Sequence, residues 1–200
     1  MRFLSTRVGV AGDDDMSKLM KVVRYCNGTR DLGIKFRYEE GNLKSYAYID
    51  AAYGIHADGK SHSSLAIMMM GGCVIFKSVK QGIVTKSSTE SELVATSDLG
   101  GIAVYLNDLL PTLHTEDYDI IVMQDNKSCI QLLLNGRLSC SDMSKHIAIR
   151  YFWLRERFIH GNLKVEFCPT QDMIANLGTK VITGTQFKDE RSMLLNSTVV

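Results

Sequence analysis

Apolar residues recur along this chain at two periods, and the switches between them sketch its elements. Met16, Leu19, Met20 and Val23 follow at i, i+3, i+4 and i+7, the spacing of one helix face. Asp13 to Asp15 precede them, where acids suit the positive end of a helix dipole. A helix over 13–26 is predicted, stopped near Gly28. GIKFRY reads as a short strand before the turn-like EEGN. KSYAYIDAAYG, residues 44 to 54, alternates with period two and predicts a strand with Tyr46, Tyr48 and Asp50 on one face. HADGKSHSS reads as a loop. LAIMMMGGCVIFKSVK then gives two apolar runs across Gly71 and Gly72, the signal of a two-residue hairpin.

The second half is richer in helical spacing. SSTESELVATSDLGG opens with two overlapping capping boxes, Ser87 with Glu90 and Thr89 with Glu92. Gly100 and Gly101 are expected to interrupt this helix, and IAVYLNDLL to continue as a second one up to Pro111. DYDIIVMQDN is a short strand ending in Asp125, and the helix KSCIQLLLN follows, closed near Gly136. A loop over 137–143 leads to a helix over 144–160 with Ile147, Tyr151, Leu154 and Phe158 on one side. LKVEFC is a further strand. After Pro169, Thr170 and Asp172 are expected to cap a helix reading Met-Ile-Ala-Asn-Leu, and a last helix spans about 184–195. Three antiparallel strands followed by strand–helix–strand imply a mixed sheet with helices on its faces.

Composition adds mainly exclusions. Two hundred residues, 45% hydrophobic and 22% charged, suit one domain with an appendage or two small domains. The net charge of +1 gives no overall basic field, so a nucleic-acid partner would need a local patch. The five cysteines form no C-x-x-C pair, which argues against zinc and for free thiols in a reducing compartment. The most apolar stretch, residues 65 to 76, falls short of the ~20 residues that span a bilayer. The N-terminal residues do not read as a signal peptide, so no membrane partner is expected.

Candidate chemistry lies in acids at element ends. Asp50 and Asp125 fall at or near strand ends, and Glu90 or Glu92 stands in the first turn of a helix. Carboxylates gathered from separate elements repel one another, and the cluster persists when cations neutralise it. Magnesium prefers such oxygen ligands, and two ions about 4 Å apart can activate water at a phosphodiester. Each acid also has an ordinary reading as a turn or cap residue, although Asp within a strand, as at position 50, is unusual. Spacing alone points no further than a metal-dependent phosphoryl enzyme.

Taken together and in order, YIDAAYG, GGCVIFKSVKQGIVTKSSTESELVA, QDNKSCIQL, SKHIAIRYFWLRE and LKVEFCPTQDMIANLGTK resemble the ribonuclease H domain of copia-type retrotransposon Pol polyproteins, over residues 46 to 195. Residues 16 to 34 resemble the end of the reverse transcriptase region that precedes that domain. The resemblance implies an RNase H-like α/β fold with a mixed five-stranded sheet. It implies a reverse transcriptase remnant over 1–43, the RNase H-like domain over 44–183, and a C-terminal helix and tail over 184–200. The implied activity is cleavage of the RNA strand of an RNA/DNA hybrid during reverse transcription, with two Mg2+ ions or Mn2+ in their place. The implied partners are the hybrid and the rest of a Pol polyprotein. The implied location is intracellular, either cytoplasmic in a virus-like particle or nuclear.

Residue by residue, the resemblance assigns Asp50 and Asp125 to catalysis and metal binding. The pattern ELVA selects Glu92 over Glu90, and two helical residues stand about 200° apart, so only one faces a site. The fourth metal position, an Asp in the family, is Asn176 here, and GTKVI replaces the family's apolar-Thr-Lys-Pro-Leu. Asn carries an oxygen but no charge, which implies a weakened site. Asp172, one turn earlier, is expected to cap. On the helix 144–160, His146, Arg150 and Arg157 form a ridge for phosphates or an ordinary solvated face, and Trp153 is expected to pack. The alternative to a ribonuclease is a catalytically inactive remnant that binds nucleic acid at most.

Overall fold

Alternation in the strands decides what each sheet face buries, and the helices follow from it. In a computed structural model of the chain, residues 4, 7–38, 44–113, 119–135, 145–160 and 163–197 are described. The chain divides into two compact units, Met1–Gly33 and Ile34–Val200.

The first unit is built on helix α1 (Asp13–Gly28). Asp15 accepts hydrogen bonds from the Gly12 backbone N–H at 3.2 Å and from Arg7 Nε at 2.7 Å, closing the helix start. The stripe of Met16, Leu19, Met20 and Val23 forms as the spacing predicts and is exposed.

The second unit holds strands β1 (Ser45–Ala52), β2 (His62–Met69), β3 (Gly72–Lys80), β4 (Ile120–Gln124) and β5 (Lys164–Phe167). They form one sheet in the order β3-β2-β1-β4-β5. β1–β2 and β2–β3 pair antiparallel, while β1–β4 and β4–β5 pair parallel. This is the mixed five-stranded sheet expected from the sequence. The helices are α2 (Ser88–Leu113), α3 (Lys127–Asn135), α4 (Lys145–Ile159), the single turn α5 (Asn176–Thr179) and α6 (Gly184–Leu195).

On one sheet face Ala47, Ile49, Leu65, Ile67, Ile120 and Val122 form the main core with Leu93 and Val94 of α2 and Leu154 and Phe158 of α4. On the other face Tyr46, Tyr48, Ala66 and Met68 pack with Ile174 and Leu194, and Met123 packs with Met173 and Ala175. Asp50 shares parity with Tyr46 and Tyr48, as the alternation predicts. No described helix is long and apolar enough to cross a membrane. Cys26, Cys73, Cys129 and Cys168 are free thiols.

Several sequence expectations need correction. Residues 33–38 form no strand. They run extended, with the Lys35 N–H donating to Leu195 O at 2.9 Å and the Arg37 N–H to Met70 O at 2.9 Å. β2 begins at His62, inside the predicted loop, because Ser63 and Ser64 are buried in the ladder. The hairpin turns at Met70 (φ 49°) and Gly71 (φ 79°), one residue earlier than predicted. Gly72 instead pairs with Met69. Its missing side chain leaves room for Ile34 and Phe36, since a Cβ there would lie 2.7 Å from Ile34 Cγ2.

α2 is one helix, uninterrupted at Gly100 and Gly101 and running past Pro111. Two glycines cost about 1 kcal/mol each in a helix, but Leu99, Ala103 and Val104 beside them are core residues. Leu154 and Trp153 lie over the two glycines, each 3.8 Å from where a Cβ would stand. Trp153 thus packs, as expected.

The predicted helix after Pro169 is broken. Thr170–Asp172 forms a 3-10 turn, Met173 is extended (φ −75°, ψ 90°), and α5 begins at Asn176 with no side-chain cap, so Asp172 does not cap it. Met173, Ile174 and Ala175 are consecutive and all buried, against two different clusters. The predicted loop 137–143 lies outside the described residues.

Candidate active site

β1 and β4 run parallel with Tyr48 opposite Met123. Asp50 and Asp125 each lie two residues further on, so parity brings both to the same face at the same end of the sheet. Glu92 comes from the first turns of α2. A carboxylate oxygen from each of Asp50, Glu92 and Asp125 lies within 4.8 Å of the others. Asp50 and Glu92 are 3% and 5% exposed, so two of the three charges are nearly cut off from water.

Each carboxylate is held by named donors. The Ala51 N–H donates to Glu92 Oε1 at 3.2 Å, and Gln124 Nε2 to Glu92 Oε2 at 3.3 Å. Gln124 is itself fixed, because its Oε1 accepts the Asn126 N–H at 2.9 Å. Thr170 Oγ1 donates to Asp125 Oδ2 at 2.9 Å, and Thr179 Oγ1 donates to Asp50 Oδ2. Glu90 takes the ordinary capping role: its N–H donates to Ser87 Oγ at 3.1 Å, and its Oε2 accepts the Lys86 N–H at 2.7 Å.

Electrostatics record the crowding. Burial, then the charges of Asp50 and Asp125, push the Glu92 carboxyl well above the usual range. Burial also raises Asp50, against the Thr179 hydroxyl and the Lys180 ammonium, which pull it down. A buried carboxylate cluster of this kind fits a divalent cation: its donors are hard oxygens and its charge is only partly offset, by Lys180.

Asn176 lies in the same region, 5% exposed. Its Nδ2 donates to Thr170 O at 2.8 Å, and its Oδ1 accepts from Lys180 Nζ. Gly178 lets this segment lie flat on β2, because a Cβ there would stand 2.7 Å from Ser64 Cβ. Ser64 is the register partner of Asp50, and Ser78 Oγ anchors the turn by donating to Gly178 O at 2.7 Å.

The basic ridge is described in part. Arg150 Nε donates to Asp98 Oδ1 on α2 at 3.0 Å, and the Arg157 guanidinium lies 5.6 Å from the centre of the Trp153 ring. The side chain of His146 lies outside the described residues.

Thr170, Thr179, Gln124 and Lys180 escape the sequence reading as site groups. They are neither carboxylates nor periodic, and their signal is only their closeness in sequence to Asp125 and Asn176.

The sheet order, with carboxylates at the ends of β1 and β4 and near the start of α2, matches the fold and site that the sequence resemblance implies. By sequence the chain is similar to Pol polyproteins of plant transposons. It is 29% identical over 177 residues to the retrovirus-related Pol polyprotein from transposon TNT 1-94 of Nicotiana tabacum, covering 88% of this chain and 13% of that protein. The chain thus spans about an eighth of the length of that relative. A shorter match, 36% identical over 89 residues, covers 44% of this chain and 62% of the secreted RxLR effector protein 161 of Plasmopara viticola. Among solved structures, LC11-RNase H1 isolated from compost matches with TM-score 0.47 and 14% identity, over 64% of this chain and 86% of that one. No family model matches the chain.

Proposed function

We propose that this chain is the ribonuclease H domain of a retrotransposon Pol polyprotein, and that it hydrolyses the RNA strand of RNA/DNA hybrids formed in reverse transcription. The observation that carries this reading is the meeting of Asp50, Glu92 and Asp125, from three separate elements, within 4.8 Å. The sequence similarity to Pol polyproteins along 88% of the chain supports it.

In this reading Asp50, Glu92 and Asp125 hold two magnesium ions, or manganese in their place, with Asn176 as a weak fourth ligand. When bound, these ions supply the charge that activates an attacking water and stabilises the departing 3′ oxygen. The protein's own work is positioning. The Thr179 and Thr170 hydroxyls hold Asp50 and Asp125, and the Ala51 N–H with Gln124 holds Glu92, so the carboxylates would be kept oriented for a bound metal. His146, Arg150 and Arg157 contact backbone phosphates of the hybrid. The rest of the polyprotein, including the reverse transcriptase, is the partner in the chain. The site of action is intracellular, in a cytoplasmic virus-like particle or in the nucleus.

A second reading has its own observation. Asn176 brings no charge, and its oxygen is engaged by Lys180, which favours a domain that keeps the fold and binds nucleic acid without cutting it. Cleavage of a labelled RNA/DNA hybrid by the purified chain, in magnesium and in manganese, separates the two. The ribonuclease reading expects RNA-strand cleavage that Asp50→Asn abolishes. Cleavage by Asn176→Asp alone identifies a disabled ribonuclease, and no cleavage by any folded version leaves the binding remnant.

A further inference from the structure

We propose that His56, His62 and Ser78 form a relay that positions the active-site turn: it fixes the peptide joining Gly178 to Thr179, and through the Thr179 hydroxyl it sets the Asp50 carboxylate. The inference rests on the metal-binding reading above and deepens it, by assigning positioning residues outside the cluster.

The sheet brings these groups into line. Asp50 pairs with Ser64 on β2, and Ser64 with Ser78 on β3, so the three side chains form a row on one face. His62 lies two residues from Ser64 and shares that face. The α5 turn crosses the row. Gly178 lies over Ser64, whose buried Oγ has no hydrogen-bond partner among the described residues. The hold on the turn comes instead from either side of Ser64. Ser78 Oγ donates to Gly178 O at 2.7 Å, and Thr179 Oγ1, on the next residue, donates to Asp50 Oδ2.

Proton counting fixes the direction of each link. Gly178 O can only accept, so it takes the single proton of the Ser78 hydroxyl. His62 Nε2, 2.8 Å from Ser78 Oγ, then donates to that oxygen. With its proton on Nε2, neutral His62 leaves Nδ1 bare, and Nδ1 accepts from His56 Nε2–H at 3.0 Å. His56 is itself set in a closed loop, where its N–H donates to Lys60 O at 3.1 Å and its carbonyl accepts from the Gly59 N–H at 2.8 Å. His62 is buried and His56 half-buried. The chain of donors therefore runs one way, from the β1–β2 loop to the turn that carries Thr179, and each donor polarises the next. Histidine suits position 62 because its two ring nitrogens accept on one side and donate on the other.

Three readouts test this. Nitrogen-15 spectra of the imidazoles at pH 8, where histidine is ordinarily neutral, are expected to show the Nε2–H form for both His56 and His62. Manganese binding to the full chain, read as loss of the free-ion paramagnetic resonance signal, is expected to weaken about tenfold in Ser78→Ala and in His62→Leu, the scale for groups that orient metal ligands. His62→Gln, whose amide N–H replaces the one donated to Ser78, should recover most of that loss. In Ser78→Ala and His62→Leu the Gly178 and Lys180 amide protons, which close the turn, should exchange faster with solvent, while those of β4 keep their rates and mark the variants as folded. An Nδ1–H proton on neutral His62 would overturn the relay. So would unchanged exchange or unchanged manganese binding in Ser78→Ala, or a His62→Gln that binds as weakly as His62→Leu, since bulk and not the donated proton would then matter. If the natural chain binds no manganese, the metal-site reading fails, and the exchange rates alone decide whether the relay holds the turn.

Discussion

Removing a charge from the carboxylate cluster is expected to stabilise the fold. Asp50→Asn keeps the shape of the side chain and an oxygen for the Thr179 hydroxyl, and deletes one negative charge. At the 4.8 Å that bounds the cluster, two unit charges repel by about 3.5 kcal/mol at an effective dielectric near 20. Part of this is already discharged, because Glu92 keeps a proton more readily than an ordinary glutamate and Lys180 attracts Asp50. A net gain of about 1–2 kcal/mol remains for the metal-free protein, which for a chain of this size is a rise of about 2–8 °C in melting temperature. Magnesium should close most of that gap. At 10 mM, with a dissociation constant of about 1 mM, it stabilises the natural chain by about 1.4 kcal/mol and Asp50→Asn hardly at all. Thermal melts in chelator and in magnesium measure both effects. An Asp50→Asn protein that melts at or below the natural one in chelator, or that gains the same magnesium shift, would refute the picture of a strained cluster awaiting a cation.

Two further outcomes follow from the same geometry. The folded chain holds a proton on Glu92 that the unfolded chain releases above about pH 4.3; this stability is fully present below that value and is lost as pH rises through Glu92's raised one. Metal-free melting temperature should therefore fall over that window, with Asp50, also raised, adding in the same direction, and Glu92→Gln should flatten the decline. Gly178→Ala should destabilise by about 1–3 kcal/mol through overpacking, because its Cβ would press on Ser64. It should also weaken manganese binding as Thr179 is pushed off Asp50, so unchanged melting and binding would count against the close approach described here.

How much of this was legible beforehand varied with the kind of signal. Period-two alternation placed Asp50 with Tyr46 and Tyr48 and separated it from Ile49. Helical geometry said that Glu90 and Glu92 could not both face a site. The failures came where packing overrides local preference. Gly100 and Gly101 look like a break, yet the core around Leu99 and Ala103 keeps the helix whole. Gly71 and Gly72 look like the turn pair, yet Met70 accepts a positive φ so that Gly72 can lie under Phe36. Thr170 and Asp172 look like caps, yet the Thr170 hydroxyl is spent on Asp125, Met173 is extended, and the helix gives way. The threonines that orient Asp50 and Asp125 carry no pattern, since each acts across 129 or 45 residues of chain.

The alternation in β1 also bears on how such a sequence ages. Ile49 lies in the helix-side core and Asp50 beside it lies in the site, so a slip of one residue would bury the acid among hydrocarbons and expose the isoleucine. The address of the acid is thus written into the packing of its neighbours. Substitutions that drift in around it can change the chemistry of the cluster while the core goes on holding the acid in its old place. In a lineage released from selection, the outline of the active centre would outlast its use.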